Sequence, residues 1–279
     1  MITTRNRQDD LRKTLLIVES LRPGPDEIMV TADGCTDDTI AMLQSEFPLV
    51  RVFVNEKNIG SVVSRDRMLR VARGDLILAL DDDSYPEQLN CLETISAIFQ
   101  ANPKLAVLHF PQRTDEYPET LTVAFANETY PTKSFPNSGA VIRRSMYLEL
   151  PGFVPQFFHM YEEPDFALQC FGAGYDVRYD SSVTIRHHYS GQTRSELRNH
   201  HRHARNELWS TLIRCPLGLL PFMVGYRIVS QFRYAMRRGM RWVIREPYWW
   251  FLAMQGLPFS ISKRNPIAYN RYWKWLRAG

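Results

Sequence analysis

The sequence predicts an α/β fold built on a mostly parallel, doubly wound sheet flanked by helices, and three observations carry that expectation. Short apolar runs alternate with stretches of helical periodicity through the first 110 residues. Polar clusters rich in aspartate stand directly behind two of those runs, where a parallel sheet exposes the carboxyl ends of its strands and binds ligands. The 279 residues, 44% of them apolar, suffice for a large domain with or without an appendage, and no low-complexity tract or internal repeat interrupts them.

The elements follow in order. "DDLRKTLLIVESL" (9–21) and "TDDTIAMLQSEF" (36–47) read as helices, each followed by a strand, "DEIMVTAD" (26–33) and "VRVFVN" (50–55). A third helix, "VVSRDRMLRVAR" (62–73), leads into the strand "DLILALDD" (75–82). "PEQLNCLETISAIFQAN" (86–102) then reads as helix, and "KLAVLHF" (104–110) and "SSVTIR" (181–186) as strands.

Composition narrows the setting. Cys35, Cys91, Cys170 and Cys215 form no CxxC pair, and the polar opening "MITTRNRQDD" is unlike a secretory signal, so a reducing, cytoplasmic compartment is expected. The apolar stretch "CPLGLLPFMVGY" falls short of the roughly 20 residues that span a bilayer. Charge is uneven: from Arg186 onward 17 Lys/Arg face three acids, whereas 17 Lys/Arg face 27 acids before it. A basic end of this kind suggests an anionic partner. From Leu212 onward Trp, Tyr and Arg mingle, with breaks at Pro247, Pro258 and Pro266. We therefore divide the chain into a catalytic region, 1–211, and a basic, aromatic helical region, 212–279. The latter either lies on an anionic membrane surface, making the protein peripheral at the inner face of the cytoplasmic membrane, or packs its aromatics on the first region. No nucleic-acid reader motif is present.

Two polar stretches lie where the chemistry should be. In "TADGCTDDT", Asp33-Gly34 is a turn pair or a ligand-facing carboxylate. In "LILALDDDSYP", Asp81, Asp82 and Asp83 follow a buried strand, a costly concentration of charge unless a cation, hydrogen bonds or water offset it. The outer carboxylates of a D-x-D can converge on one Mg²⁺ or Mn²⁺, with substrate phosphate oxygens completing its shell.

"ITTRNR" (2–7), "MVTADGCTDDT" (29–39), "NIGSVVSRDRMLRVARGDLILALDDDSYP" (58–86) and "FHMYEEPDFALQCFGAGYDVRYDSSVTIRHH" (158–188) stand in the order seen in family 2 glycosyltransferases. The chain resembles an inverting, nucleotide-sugar-dependent enzyme of the GT-A fold, with rhamnosyltransferase-like bacterial members among the relatives, over roughly residues 1 to 210. That resemblance implies that Thr4 and Arg7 touch the nucleotide, that Asp33 accepts the imide N–H of the base, and that Arg65 approaches the nucleotide. It implies Asp83 as metal ligand, Asp81 as ligand to metal or ribose, Asp82 beside the donor, and His187 near the metal or diphosphate.

"YEEPDF" supplies the base that an acceptor hydroxyl needs. The resemblance implies Glu163 as that base, with Glu162 and Asp165 next in line and Glu162 expected to face elsewhere on a helix start. Acids there also favour the positive end of the helix dipole, and Pro164 suits an early helical position. "NHHRHARNE" offers His200 and His203 as metal ligands or as a basic helix face near donor phosphates or acceptor. Three departures stand out: the first strand is nearly missing before "TTRNR", so that either the chain start is shortened or the sheet tolerates a stub; Ala32 replaces an aspartate, and Asp66 replaces an asparagine. Expected, then, is transfer of a sugar from a nucleoside-diphosphate sugar to a glycan or lipid-linked acceptor in cell-surface polysaccharide synthesis. An inactive nucleotide-sugar binder and a phosphatase with an aspartyl nucleophile are the alternatives.

Overall fold

The computed structural model describes residues 1–188 and 196–278. The first half of the chain lays down four parallel strands, β1 (Ile2–Thr4), β2 (Met29–Asp33), β3 (Arg51–Asn55) and β4 (Leu76–Asp81), joined by helices α1 (Gln8–Ser20), α2 (Thr39–Glu46) and α3 (Ser61–Val71). β2 is buried along its whole length because β1 and β3 cover its edges and helices its faces. β1, only three residues long, is paired on both sides, between β2 and β4. Leu11, Leu15 and Val18 of α1 recur at helical spacing and pack with Val30, Leu43 and Leu80, each such burial stabilising by about 1.5–3 kcal/mol.

After β4 the topology departs from simple alternation. β5 (Ser84–Pro86) ends on the residue where a helix was expected to begin, and α4 starts only at Cys91 (Cys91–Ala101). β6 (Leu105–His109), β7 (Gln112–Thr114), β8 (Thr129–Pro131) and β9 (Ala140–Arg143) follow, then α5 (Arg144–Glu149), α6 (Glu162–Ala173), β10 (Asp176–Asp180) and β11 (Ile185–His187). The main sheet runs β3-β2-β1-β4-β9-β6-β10-β8, with β9 antiparallel between β4 and β6. β5, β11 and β7 form a second, three-stranded sheet, in which His187 pairs with Ser84 and the His188 N–H donates to the Asp83 carbonyl at 2.8 Å. This small sheet carries the aspartates and His187 to the same place.

The last third is helical: α7 (Glu196–Arg214), α8 (Leu220–Arg238), α9 (Met240–Gln255), α10 (Leu257–Ser262) and α11 (Tyr269–Arg277). Residue 212, expected to open this region, lies inside α7, whose Trp209 and Ile213 belong to the main core. α11 returns to α6, where Trp275 packs on Phe171 and Ile267 meets Gly172. Some of the terminal aromatics thus pack on the first region as one reading expected. No described helix is long and apolar enough to cross a membrane.

Candidate active site

A cavity of about 790 Å³ opens at the carboxyl ends of β1, β2 and β4 and is closed on the far side by the start of α6 and by α7. Every predicted site residue lines it except Asp165 and His200.

The aspartate triplet is held from one side by arginine. Arg7 places Nη1 2.9 Å from Asp82 Oδ1 and Nη2 2.8 Å from Asp83 Oδ2, while Thr4 donates its hydroxyl to Asp82 Oδ2 at 2.8 Å. Asp82 is thereby a structural anchor: Thr14 also donates to its backbone carbonyl at 2.9 Å, and burial pushes its carboxyl up to about 7 despite Arg7. Asp83 is different. It is 2% exposed, yet neither carboxylate oxygen accepts a well-formed hydrogen bond; Oδ2 has the ion-pair contact with Arg7, and Oδ1 lies 3.3 Å from His187 Nε2. Burial opposes ionisation of Asp83, but His187 and Arg7 outweigh it and hold the carboxyl below its usual range. Asp81, Asp83 and His187 each offer a ligand atom, all within 4.8 Å of one another. Two carboxylates, one of them fully buried, and an imidazole this close together fit a Mg²⁺ or Mn²⁺ ion.

Asp33 does more than end a strand. Its Oδ1 accepts from Asn55 Nδ2 and the Ile59 N–H, and its Oδ2 from the Gly60 N–H, at 2.9–3.0 Å. It fixes the loop into α3 and lines the cavity with one Oδ2 lone pair unassigned. Gly60 has φ +98°, and a Cβ there would stand 2.2 Å from the Phe158 carbonyl oxygen. That carbonyl accepts from the Val62 N–H at 3.3 Å, so the loop at Asp33 is tied to the segment preceding α6.

That segment is strained. Phe158, Met160 and Tyr161 all take positive φ, from 66° to 74°, without being glycine. Asn206, fully buried on α7, holds it by donating Nδ2 to the carbonyls of Phe157, His159 and Met160 at 2.7–3.1 Å. Glu162 and Glu163 follow at once, in the first turn of α6, as the helix-start reading of Pro164 expected. Glu162 does not face elsewhere: it is 2% exposed, lines the cavity and lies 3.6 Å from Arg65 Nη1. Arg65 in turn grips Asp81, so one guanidinium joins the metal-type cluster to the glutamates. Asn137 donates Nδ2 to Oε1 of both glutamates, at 3.4 Å for Glu162 and 3.0 Å for Glu163. Burial raises both carboxyls; for Glu163 repulsion from Glu162 adds to it and the group is pushed up to about 8, while Arg65 partly restrains Glu162. Glu163 is the less buried of the two. A carboxylate poised near neutrality at a cavity wall suits proton abstraction.

Asp165 has to be corrected. Arg214 grips it through two bonds of 2.9 and 3.1 Å, and Ser210 and Gln169 each donate at 2.7 Å. Its carboxylate is saturated at the α6–α7 contact, one turn away from the cavity wall. The Asp66 departure is explained too: Arg70 and the Tyr147 hydroxyl, at 2.6 Å, hold it against α5. Ala32 is fully buried in β2. His188 is spent on Tyr85 and Asp115. His200 stacks on Tyr234 and pairs with Gln231, and the group of three potential metal ligands found among the described residues, Asp81, Asp83 and His187, includes neither it nor His203. The basic-face reading of α7 fits better, since Arg202 and His203 line the cavity. Asn137, Phe158 and Asn206 were missed; "FPNSG" carries a turn signal and nothing in it announces a partner for the glutamates.

The model of glycosyl transferase family 2 matches residues 1–163. An uncharacterized glycosyltransferase of Haemophilus influenzae is 30% identical over 95 residues, 34% of this chain and 32% of that protein, so the match spans about a third of that relative. Among solved structures, GalNAc-T7 with UDP, GalNAc and Mn²⁺ superposes at TM-score 0.64 and 15% identity, over 95% of this chain and 57% of that one. S. aureus TarS 1-349 with UDP gives 0.63 at 16% identity, over 94% and 81%. The mannosyltransferase PcManGT from Pyrobaculum calidifontis with GDP-Man and Mn²⁺ gives 0.58 at 15%, over 94% and 82%. These likenesses carry the fold, which is GT-A as expected. The family match, over more than half of the sequence, carries the rest: this chain belongs to glycosyl transferase family 2.

Proposed function

We propose that the protein transfers a sugar from a nucleoside-diphosphate sugar to an acceptor hydroxyl with inversion, in the assembly of a cell-surface glycan. The acceptor is a glycan or lipid-linked intermediate, and the protein works peripherally at the inner face of the cytoplasmic membrane. The observation that carries this reading is the Arg65 bridge, which puts a cation-type cluster (Asp81, Asp83, His187) and a raised carboxyl pair in one cavity. Asp83, Asp81 and His187 would hold Mg²⁺ or Mn²⁺, which when bound offsets the charge of the leaving diphosphate.

The chain's own residues divide the remaining work. Thr4, Asp33 and Arg65 wall the nucleotide side, with Arg7 and Asp82 keeping the aspartate turn rigid. Arg202 and His203 face the diphosphate from α7. Glu163 takes the acceptor proton at Oε1 or Oε2 as the new C–O bond forms and the C–O bond to the leaving diphosphate breaks on the opposite face of the sugar. The aspartyl-phosphatase alternative would leave Glu162 and Glu163 without a task.

Turnover of UDP-, GDP- and dTDP-sugars with Mn²⁺ tests the proposal, with the anomeric configuration of the product read by NMR. Transfer with inversion is expected. Binding without turnover of any donor would make this an inactive nucleotide-sugar binder, and retention would remove the single-displacement role of Glu163.

A further inference from the structure

α8 and α9 each bury one stripe and leave the opposite stripe bare. On α8 the buried side is Met223, Gln231 and Ala235, and on α9 Trp242, Glu246, Trp249 and Ala253. The uncovered sides carry Phe222, Tyr226, Val229 and Met236, then Met240, Ile244, Phe251 and Met254, each at least 53% exposed and spaced by three, four or seven residues. Single exposed apolar residues are ordinary, whereas a bare apolar stripe on each of two helices packed together marks a surface that something covers.

Charge says what that is. Between them the two helices hold six arginines and one acid, and the acid, Glu246, is buried against Gln231. Arg227 and Arg238 are ion-paired to Glu207 and Glu196. Arg233, Arg237, Arg241 and Arg245 are exposed and flank the stripes. A second copy of the chain laid on this surface would oppose arginine with arginine. An anionic lipid leaflet offers acyl chains to the stripes and headgroup phosphates to the arginines at once.

We infer that the α8–α9 stripes are a membrane-docking face that inserts shallowly into an anionic leaflet. This deepens the peripheral placement proposed above and assigns it to a defined surface. The two helices that carry the stripes pack on α7, whose Arg202 and His203 line the cavity.

Flotation of the full chain with phosphatidylglycerol and with phosphatidylcholine vesicles tests the inference. Binding to the anionic vesicles is expected, weakening more than about tenfold as salt rises from about 0.1 M to about 1 M, because the Debye length contracts from about 10 Å to about 3 Å. Ile244→Glu with Phe251→Glu, both exposed, should abolish flotation with the melting temperature and the nucleotide-sugar affinity unchanged. Arg241→Glu with Arg245→Glu should remove the preference for anionic lipid. Absence of flotation overturns the inference. So does flotation that the Glu variants leave unchanged, or a dimer in light scattering that the same variants dissociate. Vesicle binding needs no transfer, so a protein that floats but transfers no sugar sinks only the proposed reaction, and one that transfers but never floats sinks only the docking face.

Discussion

Asn137 Nδ2 lies 3.0 Å from Oε1 of Glu163 and reaches Glu162 as well, so a single amide holds the two acids side by side. Asn137→Ala would leave their mutual repulsion undamped and free their side chains. Transfer at neutral pH should fall by roughly tenfold or more, and the pH–rate profile should move up, because a hydrogen bond to the ionised form is lost. A profile that stays in place with unchanged rate would show the amide to be idle.

Glu163→Gln should keep donor affinity and lower single-turnover transfer by roughly 10²–10⁴-fold, since the base acts only on the acceptor proton. Wild-type turnover should rise with pH through about 8, where the carboxyl ionises. Stability should move the other way. The folded pKa lies above the unfolded one, so the contribution of this group is complete at low pH and is lost as pH climbs towards about 8. Glu163→Gln removes that slope, and melting curves between pH 5 and about 8 would reveal it. A mutant that loses donor binding instead would place Glu163 in the nucleotide site.

Asp83→Asn should abolish Mn²⁺-dependent donor binding in calorimetry. Asp82→Asn should leave the Mn²⁺ titration intact and cost about 1–3 kcal/mol of stability, because its partners are Thr4 and Arg7. Equal loss of metal response at both positions would refute the division of labour between them.

Glu162→Gln should not be mild. It withdraws the charge that Arg65 shares with Asp81, so donor affinity and transfer should both drop. Normal donor affinity would mean that Arg65 needs only Asp81.

Asp165→Asn should behave as a folding defect, about 3–5 kcal/mol less stable, since it leaves Arg214 buried without its carboxylate. Full stability with lost turnover would return Asp165 to the catalytic group.

How much of this was legible beforehand depended on the range of the interactions. Strands β2, β3, β4 and β6 could be read because each is a compact apolar run bounded by turn residues, and α1 because its leucines recur at helical spacing. β5 and β7 could not: three residues hold no period, and they pair with β11, which the expected strand 181–186 overlaps at its end, across about 70 to 100 residues. β9 is four residues inside "SGAVIRRSM" and runs against its neighbours, which no local pattern announces. In the candidate site, Asp83, His187 and Glu163 were singled out through ordered motifs, and one cavity holds all three. The bridging role of Arg65 was not, because it depends on Asp81 and Glu162 arriving from distant elements. Asp165 misled because an acid in a first turn looks the same whether it faces a cavity or a neighbouring helix.

The segment matched by the family ends at Glu163, yet the amide that braces the backbone in front of that residue is Asn206, more than 40 positions later. A chimaera that grafted residues 1–163 onto foreign helices would inherit the aspartates, Arg65 and both glutamates while losing their brace. The three left-handed residues before α6 would then relax, and the glutamates would turn from the cavity although no catalytic side chain had been altered. For protein engineering the transplantable unit is consequently the first region together with α7, and α7 should be exchanged only with an asparagine kept at position 206.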